Sequence, residues 1–396
     1  MFTSLRRVTY PVADLAQARE WYCRVLETKP VFDSPFAVAF AIGHAALVLI
    51  PVPEASERQE VPPVAFWTVD DIDAAYHRLL ELGARSESEI ATSMDIQRAK
   101  VIDPFGNVIG IMAEGTRAEQ RTVEKQPSET AYNVALARAV AARDAHEALR
   151  GPDYLAEIFL SEESRRAIRD AASRDYIKQL MTPELFGFLS ARTNWLDRIF
   201  GQCLTENWPQ IVFLGAGYDS RSYRFRDQIR STRLFELDVQ TTQERKQKAL
   251  EQAGVFVPGQ LVFVPINFQS QSIADALTAA GFQRGEMTLF IWEGVSYYLT
   301  AQAVDESLRN LREIAPAGSL LCFDYMNSPR PSRYAGEPFQ FFIPRESIPE
   351  FLDQRGFALT AHYVRDDITT RFLPHGDGLP EARSLSELGF VECRIA

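Results

Sequence analysis

The stretch IVFLGAGYDSRSYRF (211–225) runs four apolar residues straight into Gly215-Ala216-Gly217. The apolar run reads as a buried strand, and glycines at its end let a ligand approach the backbone because no Cβ stands in the way. RLFELDV (233–239) reads as a second strand, and its Glu236 and Asp238 fall about 20 residues beyond the glycines, where a nucleotide-binding fold places its ribose-gripping carboxylate. LVFVPINF (261–268) ends on Asn267, whose amide can hydrogen-bond an adenine edge while Phe268 packs against the ring. MTLFIWEGVSYYLT (287–300) closes on Glu293. Each residue also has an ordinary reading: a plain turn at Gly215 and Gly217, a helix cap at Asp238, core packing for Phe268, Tyr297 and Tyr298. Their shared place at the C-terminal ends of strands, the rim where open α/β sheets bind ligands, sets them apart.

The elements that must carry these residues follow from the pattern around them. Long helical periods run through 130–206, after which strands and helices alternate, as a parallel sheet covered on both faces requires. Before them, EGTRAEQRTVEKQP (114–127) is polar and without apolar period, so a linker is placed at 115–127 between a domain at 1–114 and one at 128–396. The first 114 residues read as two similar halves, each a strand, a helix and three further strands. In the first half LRRVTYPV (5–12) precedes the helical DLAQAREWYCRVL (14–26), and VFD, FAVAFAI and AALVLIPV follow. In the second, VAFWTV (64–69) leads into DIDAAYHRLLELG (71–83), with Asp71 as N-cap and Gly83 as stop. Strands near 97–102 and 107–113 flank DPFGN (103–107), which has the Pro and Gly of a tight reversal.

Composition narrows the function classes. A chain of 396 residues calls for two domains rather than one core. No apolar run approaches the ~20 residues of a membrane span. The opening MFTSLRRVTYPVADL lacks the apolar core of a secretory signal, so a cytoplasmic setting is expected. Cys23, Cys203, Cys322 and Cys393 form no CxxC pair, which counts against a disulfide framework or a zinc site. The net charge is -11 with dispersed basic residues, so nucleic acid is not an expected partner.

The ordered motifs LGAGYDSRSYR (214–224), FELD (235–238), NF (267–268) and EGVSYYL (293–299) resemble the leucine carboxyl methyltransferase family in its bacterial small-molecule branch. The likeness extends from ETAYNVALARA (129–139) through ARTNWLD (191–197) to GEPFQFFIPRESIPEFLDQRGF (336–357). It implies a class I, Rossmann-like doubly wound sheet with a helical cap, and S-adenosyl-L-methionine as cofactor. By the same resemblance, Arg192 grips the methionine carboxylate, Gly215, Ala216 and Gly217 pass beneath it, and Asp238 takes the ribose hydroxyls. Asn267 and Phe268 hold the adenine, with Asn267 where relatives often have Asp, and Glu293 lies near the sulfonium or amino group.

A sulfonium methyl is already electrophilic, so such a site mainly aligns a nucleophile and excludes water. A carboxylate acceptor arrives deprotonated, whereas a phenol or alcohol gains from a positioned base. His146, His362 and His375 lie outside the matched motifs, which favours O-methylation of a small organic acid or metabolite carboxylate, with Tyr132, Arg224 or Tyr298 orienting it. The alternative acceptor is a phenol or hydroxyl of a secondary metabolite.

The paired halves of residues 1–114 resemble the vicinal oxygen chelate superfamily of glyoxalases, bleomycin-resistance proteins and extradiol dioxygenases, whose enzymes hold a divalent metal on four strands. Here Arg7 stands where the first ligand is expected, the third falls at Pro63, and Gly110 replaces the final Glu. Strands 5–12, 45–50, 61–69 and 107–113 contain no His, Asp or Glu, and His44 and His77 read as surface or packing residues. The expectation is a metal-free domain that serves dimerisation, covers the acceptor pocket or binds a ligand without chemistry. Two competing readings remain: a ligand-binding or resistance protein with a silent rear fold, and a metal-dependent lyase or dioxygenase.

Overall fold

The computed structural model describes residues 4–12, 14–26, 28–33, 37–42, 45–51, 64–93, 96–103, 108–114, 128–144, 146–181, 183–329, 333–334, 337–374 and 387–396. The linker expected at 115–127, most of the DPFGN turn, and His44, Pro63 and His375 lie outside them. The chain divides into two compact units, Met1–Arg121 and Thr122–Ala396. No helix among the described residues is long and apolar enough to cross a membrane.

The first unit is the expected pair of halves. Strand β1 (Ser4–Val12), helix α1 (Leu15–Val25) and strands β2 (Phe32–Asp33), β3 (Val38–Ile42) and β4 (Ala45–Pro51) form one half. Strand β5 (Val64–Thr68), helix α2 (Ile72–Glu81) and strands β6 (Arg85–Ser93), β7 (Ile96–Ile102) and β8 (Val108–Glu114) form the other. They share one sheet, ordered β2-β3-β4-β1-β5-β8-β7-β6, joined where β1 and β5 run antiparallel with Arg7 opposite Phe66. Asp14 and Asp71 cap their helices by accepting the Gln17 and Ala74 N–H groups, each at 2.9 Å. Ile72, Ala75, Tyr76 and Leu79, one face of α2 at helical spacing, bury against Ala99, Val101, Ile111 and Ala113. The edge strand β6 was not located from sequence, because RSESEIATS carries the polar residues an edge tolerates in place of an apolar alternation.

The second unit begins with helices α3 (Glu129–Ala142), α4 (Glu162–Ala167), α5 (Ala171–Leu180) and α6 (Pro183–Thr205). Then come β9 (Gln210–Leu214), α7 (Arg221–Arg224), β10 (Arg233–Asp238), α8 (Gln240–Gln252), β11 (Leu261–Pro265), α9 (Ile273–Ala279), β12 (Thr288–Trp292), α10 (Ala301–Ile314) and β13 (Leu320–Met326). A two-stranded ribbon, β14 (Arg333–Tyr334) and β15 (Glu337–Pro338), precedes α11 (Ile348–Asp353), β16 (Phe357–Tyr363), α12 (Arg365–Phe372) and β17 (Leu388–Ile395). The sheet order is β11-β10-β9-β12-β13-β17-β16. All pairs are parallel except those of β17, which lies reversed between β13 and β16 in the doubly wound sheet. Side chains alternate between two cores: Ile211, Phe213 and Ile291 pack on the side of α3 and α6, Val212, Leu214 and Trp292 on the side of α9 and α10. This period of two is what a sheet covered on both faces produces.

Candidate functional site

The C-terminal ends of β9, β10 and β12 meet at one rim. Beyond β9 the backbone turns through Gly215 (φ 75°) and Gly217 (φ 44°), the left-handed region that a side chain disfavours. The Gly215 and Ala216 N–H groups both donate to the Leu237 carbonyl, at 2.9 and 2.8 Å, which ties the turn to the end of β10. There Asp238 accepts the Gly217 N–H at 2.6 Å on Oδ2 and the Val239 N–H at 2.7 Å on Oδ1. Glu236, expected beside it, points away: it is buried and paired with Lys246 at 2.6 Å, while Ser222 donates to it at 2.9 Å.

The two glycines differ in what surrounds them. A Cβ on Gly217 would stand 3.1 Å from that of Ala131, whereas the space beside Gly215 is taken by the Val295 side chain from the loop after β12. The expectation of open access at both positions therefore holds only in part. Gly215 serves loop packing as well as backbone geometry.

Behind the rim lies a buried ionic cluster. One Glu293 oxygen lies 3.1 Å from Arg192 Nε as an ion pair, and the other accepts a hydrogen bond from Arg221 Nη1 at 2.8 Å. Burial alone would raise its pKa, but the two guanidiniums outweigh burial and hold it down at about 2. Arg192 itself is 2% exposed and donates from Nη1 to Asp324 at 2.7 Å. Burial opposes its charge, and Asp324 with Glu293 overcomes that to raise its pKa above the ordinary arginine value. Arg221 also pairs with Asp219, and with Asp197 at 2.8 Å; its Nη2 is buried without a hydrogen-bond partner. Arg221, Asp219, Asp197 and Asp324 were not singled out in the sequence. The first two stand inside the glycine motif itself, a signal that was available, whereas Asp324 is an acidic residue in the otherwise apolar LLCFDYM.

The remaining expected residues separate. Asn267 Oδ1 accepts the Gln269 N–H at 2.9 Å, closing a local turn after β11, and Phe268 packs half-buried against the core. Arg224 is corrected as an acceptor-orienting residue: its guanidinium makes a two-pronged pair with Asp197, at 2.6 and 2.8 Å. Tyr132 is likewise tied down, donating to Ser164 Oγ at 2.8 Å beneath the Arg245 guanidinium. Tyr298 stacks on Phe339 at 5.2 Å.

In the first unit, the position expected for a metal-binding Glu is physically filled. A Cβ on Gly110 would lie 2.6 Å from the Phe66 ring, and that ring lies beneath Arg7, whose guanidinium carbon is 4.8 Å from its centroid. No group of three His, Cys, Asp or Glu placed to hold a metal occurs among the described residues. His77 bonds through Nδ1 to the Asp73 carbonyl of its own helix at 2.8 Å.

Comparison with known proteins gives two family matches. Residues 131–312 match "Leucine carboxyl methyltransferase", and residues 4–111 match "Glyoxalase/Bleomycin resistance protein/Dioxygenase superfamily". A Bacillus subtilis (strain 168) protein named "Putative S-adenosyl-L-methionine-dependent methyltransferase YktD" is 29% identical over 46% of this chain and 64% of its own length. Relatives under the same name without the suffix occur in Mycobacteroides abscessus, 28% identical over 51% of this chain and 66% of theirs, and in Mycolicibacterium gilvum, 34% identical over 35% and 55%. The chain thus spans under two thirds of the length of these relatives.

Proposed function

We propose that the chain, whose residues 131–312 match the leucine carboxyl methyltransferase family and whose residues 4–111 match the glyoxalase/bleomycin resistance/dioxygenase superfamily, is an S-adenosyl-L-methionine-dependent methyltransferase acting on a small molecule. One observation carries this reading: the left-handed Gly217 backbone bonded to Asp238 stands at the same rim as the Arg192–Glu293 pair. A ribose diol finds the Asp238 carboxylate at one end, and an amino-acid carboxylate and ammonium find Arg192 and Glu293 at the other. The unpartnered Arg221 Nη2 is a further donor in that cluster. Bound there, the cofactor supplies a methyl group already activated for displacement.

The chain's own residues have three tasks. Asp238 and the glycine turn seat the nucleoside, with Asn267 and Phe268 beside its base, where the Asn267 amide can hydrogen-bond the adenine edge. Arg192 holds the negative end, and Glu293, ionised at any physiological pH, complements positive charge without acting as a base. Tyr298 and Phe339 offer an aromatic surface against which an acceptor can be oriented.

We propose a carboxylate acceptor, giving a methyl ester. Glu293 is doubly ion-paired, and His362 is engaged with the Tyr325 hydroxyl at 2.8 Å, so neither is a spare base for an alcohol. An acid that arrives ionised needs none. The first unit we read as metal-free, serving to pair two copies of the chain or to cover the acceptor. The test is calorimetry with S-adenosylhomocysteine, then turnover on panels of carboxylic acids, phenols and amines. Binding with ester formation is expected; no binding overturns the methyltransferase, and transfer to phenols or amines alone overturns the carboxylate.

A further inference from the structure

The proposed cofactor seat leaves one buried group without a role. Asp324, on β13, is fully buried, and both of its oxygens are used. Oδ1 accepts the Gly294 N–H at 2.6 Å; Oδ2 accepts Arg192 Nη1 at 2.7 Å and the Tyr297 hydroxyl at 3.3 Å. It therefore links the loop after β12, the α6 arginine and a tyrosine of the family motif, while lying itself beyond residues 131–312.

Charge alone does not explain a carboxylate here. Glu293 already neutralises Arg192, and a second anion behind it lowers the attraction of that guanidinium for an anionic ligand. Geometry does explain it. An arginine side chain has many rotamers, and fixing one in advance lowers the cost of gripping a planar carboxylate. Gly294 shows how closely the parts are fitted: its φ is 72°, and a Cβ there would lie 3.1 Å from Arg192 Nη1.

Resting on the proposed function, we infer that Asp324 is the positioning residue that presents Arg192 to the carboxylate end of the bound nucleoside. The two accounts of Asp324 differ in sign. As a mere counter-ion, its neutralisation in Asp324→Asn frees Arg192 and tightens binding of S-adenosylhomocysteine. As a positioning residue, its neutralisation leaves Arg192 loosely held and weakens that binding by roughly tenfold or more.

The experiment measures two ligands by calorimetry on the full chain: S-adenosylhomocysteine, and 5′-methylthioadenosine, which lacks the amino-acid end. Asp324→Asn is expected to weaken the first roughly tenfold and leave the second within about twofold of the unsubstituted chain. Tyr297→Phe removes only one hydroxyl from the same group and is expected to show the same pattern with a smaller loss; it decides the matter if Asp324→Asn does not fold. Equal loss of both ligands, no loss, or tighter S-adenosylhomocysteine binding overturns the inference. If the unsubstituted chain binds 5′-methylthioadenosine and S-adenosylhomocysteine equally well, Arg192 has no such role and the inference falls while nucleoside binding stands. If it binds neither, the proposed function falls with it.

Discussion

Gly215 in the second unit and Gly110 in the first both face an apolar side chain that an added Cβ would strike, Val295 and Phe66 respectively. Only Gly215 also holds a left-handed backbone, and only Gly215 stands beside carboxylates and arginines that come from distant parts of the chain. Around Gly110 the neighbours are a ring and one guanidinium stacked on it. Missing side chains thus mean different things in the two units. In the second they shape backbone at a polar rim, and in the first they make room for packing where a metal ligand was expected.

The largest expected effect tests whether the second unit depends on its ionic cluster. Arg221→Met strands Asp219 and removes one of the two partners of Glu293, and a loss on the order of 3–5 kcal/mol is expected in denaturant unfolding. A loss below about 1 kcal/mol would make the cluster incidental. Next comes Gly215→Ala, which combines left-handed strain with displacement of Val295; about 3 kcal/mol is expected, together with weakened S-adenosylhomocysteine binding. Gly110→Ala, by contrast, asks only a ring to shift. About 1 kcal/mol and unchanged nucleoside binding are expected, and parity between the two glycine substitutions would erase the contrast.

A pH series sharpens the same difference. Glu293 titrates near 2 when folded, below its ordinary 4.5, so its contribution is fully present above about 4.5 and is lost as pH falls towards 2. Glu293→Gln should flatten that part of the stability profile, and peptide-resolved hydrogen exchange should place the difference in the second unit. The smallest expected effect is none: EDTA or added divalent metal should leave methyl transfer and thermal midpoint unchanged. A metal-dependent shift of either would show that Arg7 and Phe66 do not close the first unit to metal.

Much of this was legible because local chemistry wrote it into short windows. Strands running into glycine, Asp238 and Glu293 are strand-end signals, and the Asp71 cap marks a helix start within four residues. What stayed hidden depends on long-range partners. The role of Asp324 is set by an arginine 132 positions earlier, and no window contains both. Glu236 and Asp238 sit two apart on one strand and so share a face, yet the first lies within the strand, buried against Lys246, and the second ends the strand at the rim. Arg224 lies in the matching motif, but its fate is decided by Asp197 on α6. The reversal of β17 was equally unreadable, since strand direction leaves no mark on composition.

That reversed strand has a consequence during synthesis. β13, which carries Asp324, is flanked on one side by β12 and on the other by residues 388–395, which follow every other strand in the chain. A ribosome must release those residues before β13 ceases to be a bare sheet edge, long after the strands of the first unit have all emerged. The polypeptide therefore passes through a stage in which β13 still offers an unpaired ladder along one edge.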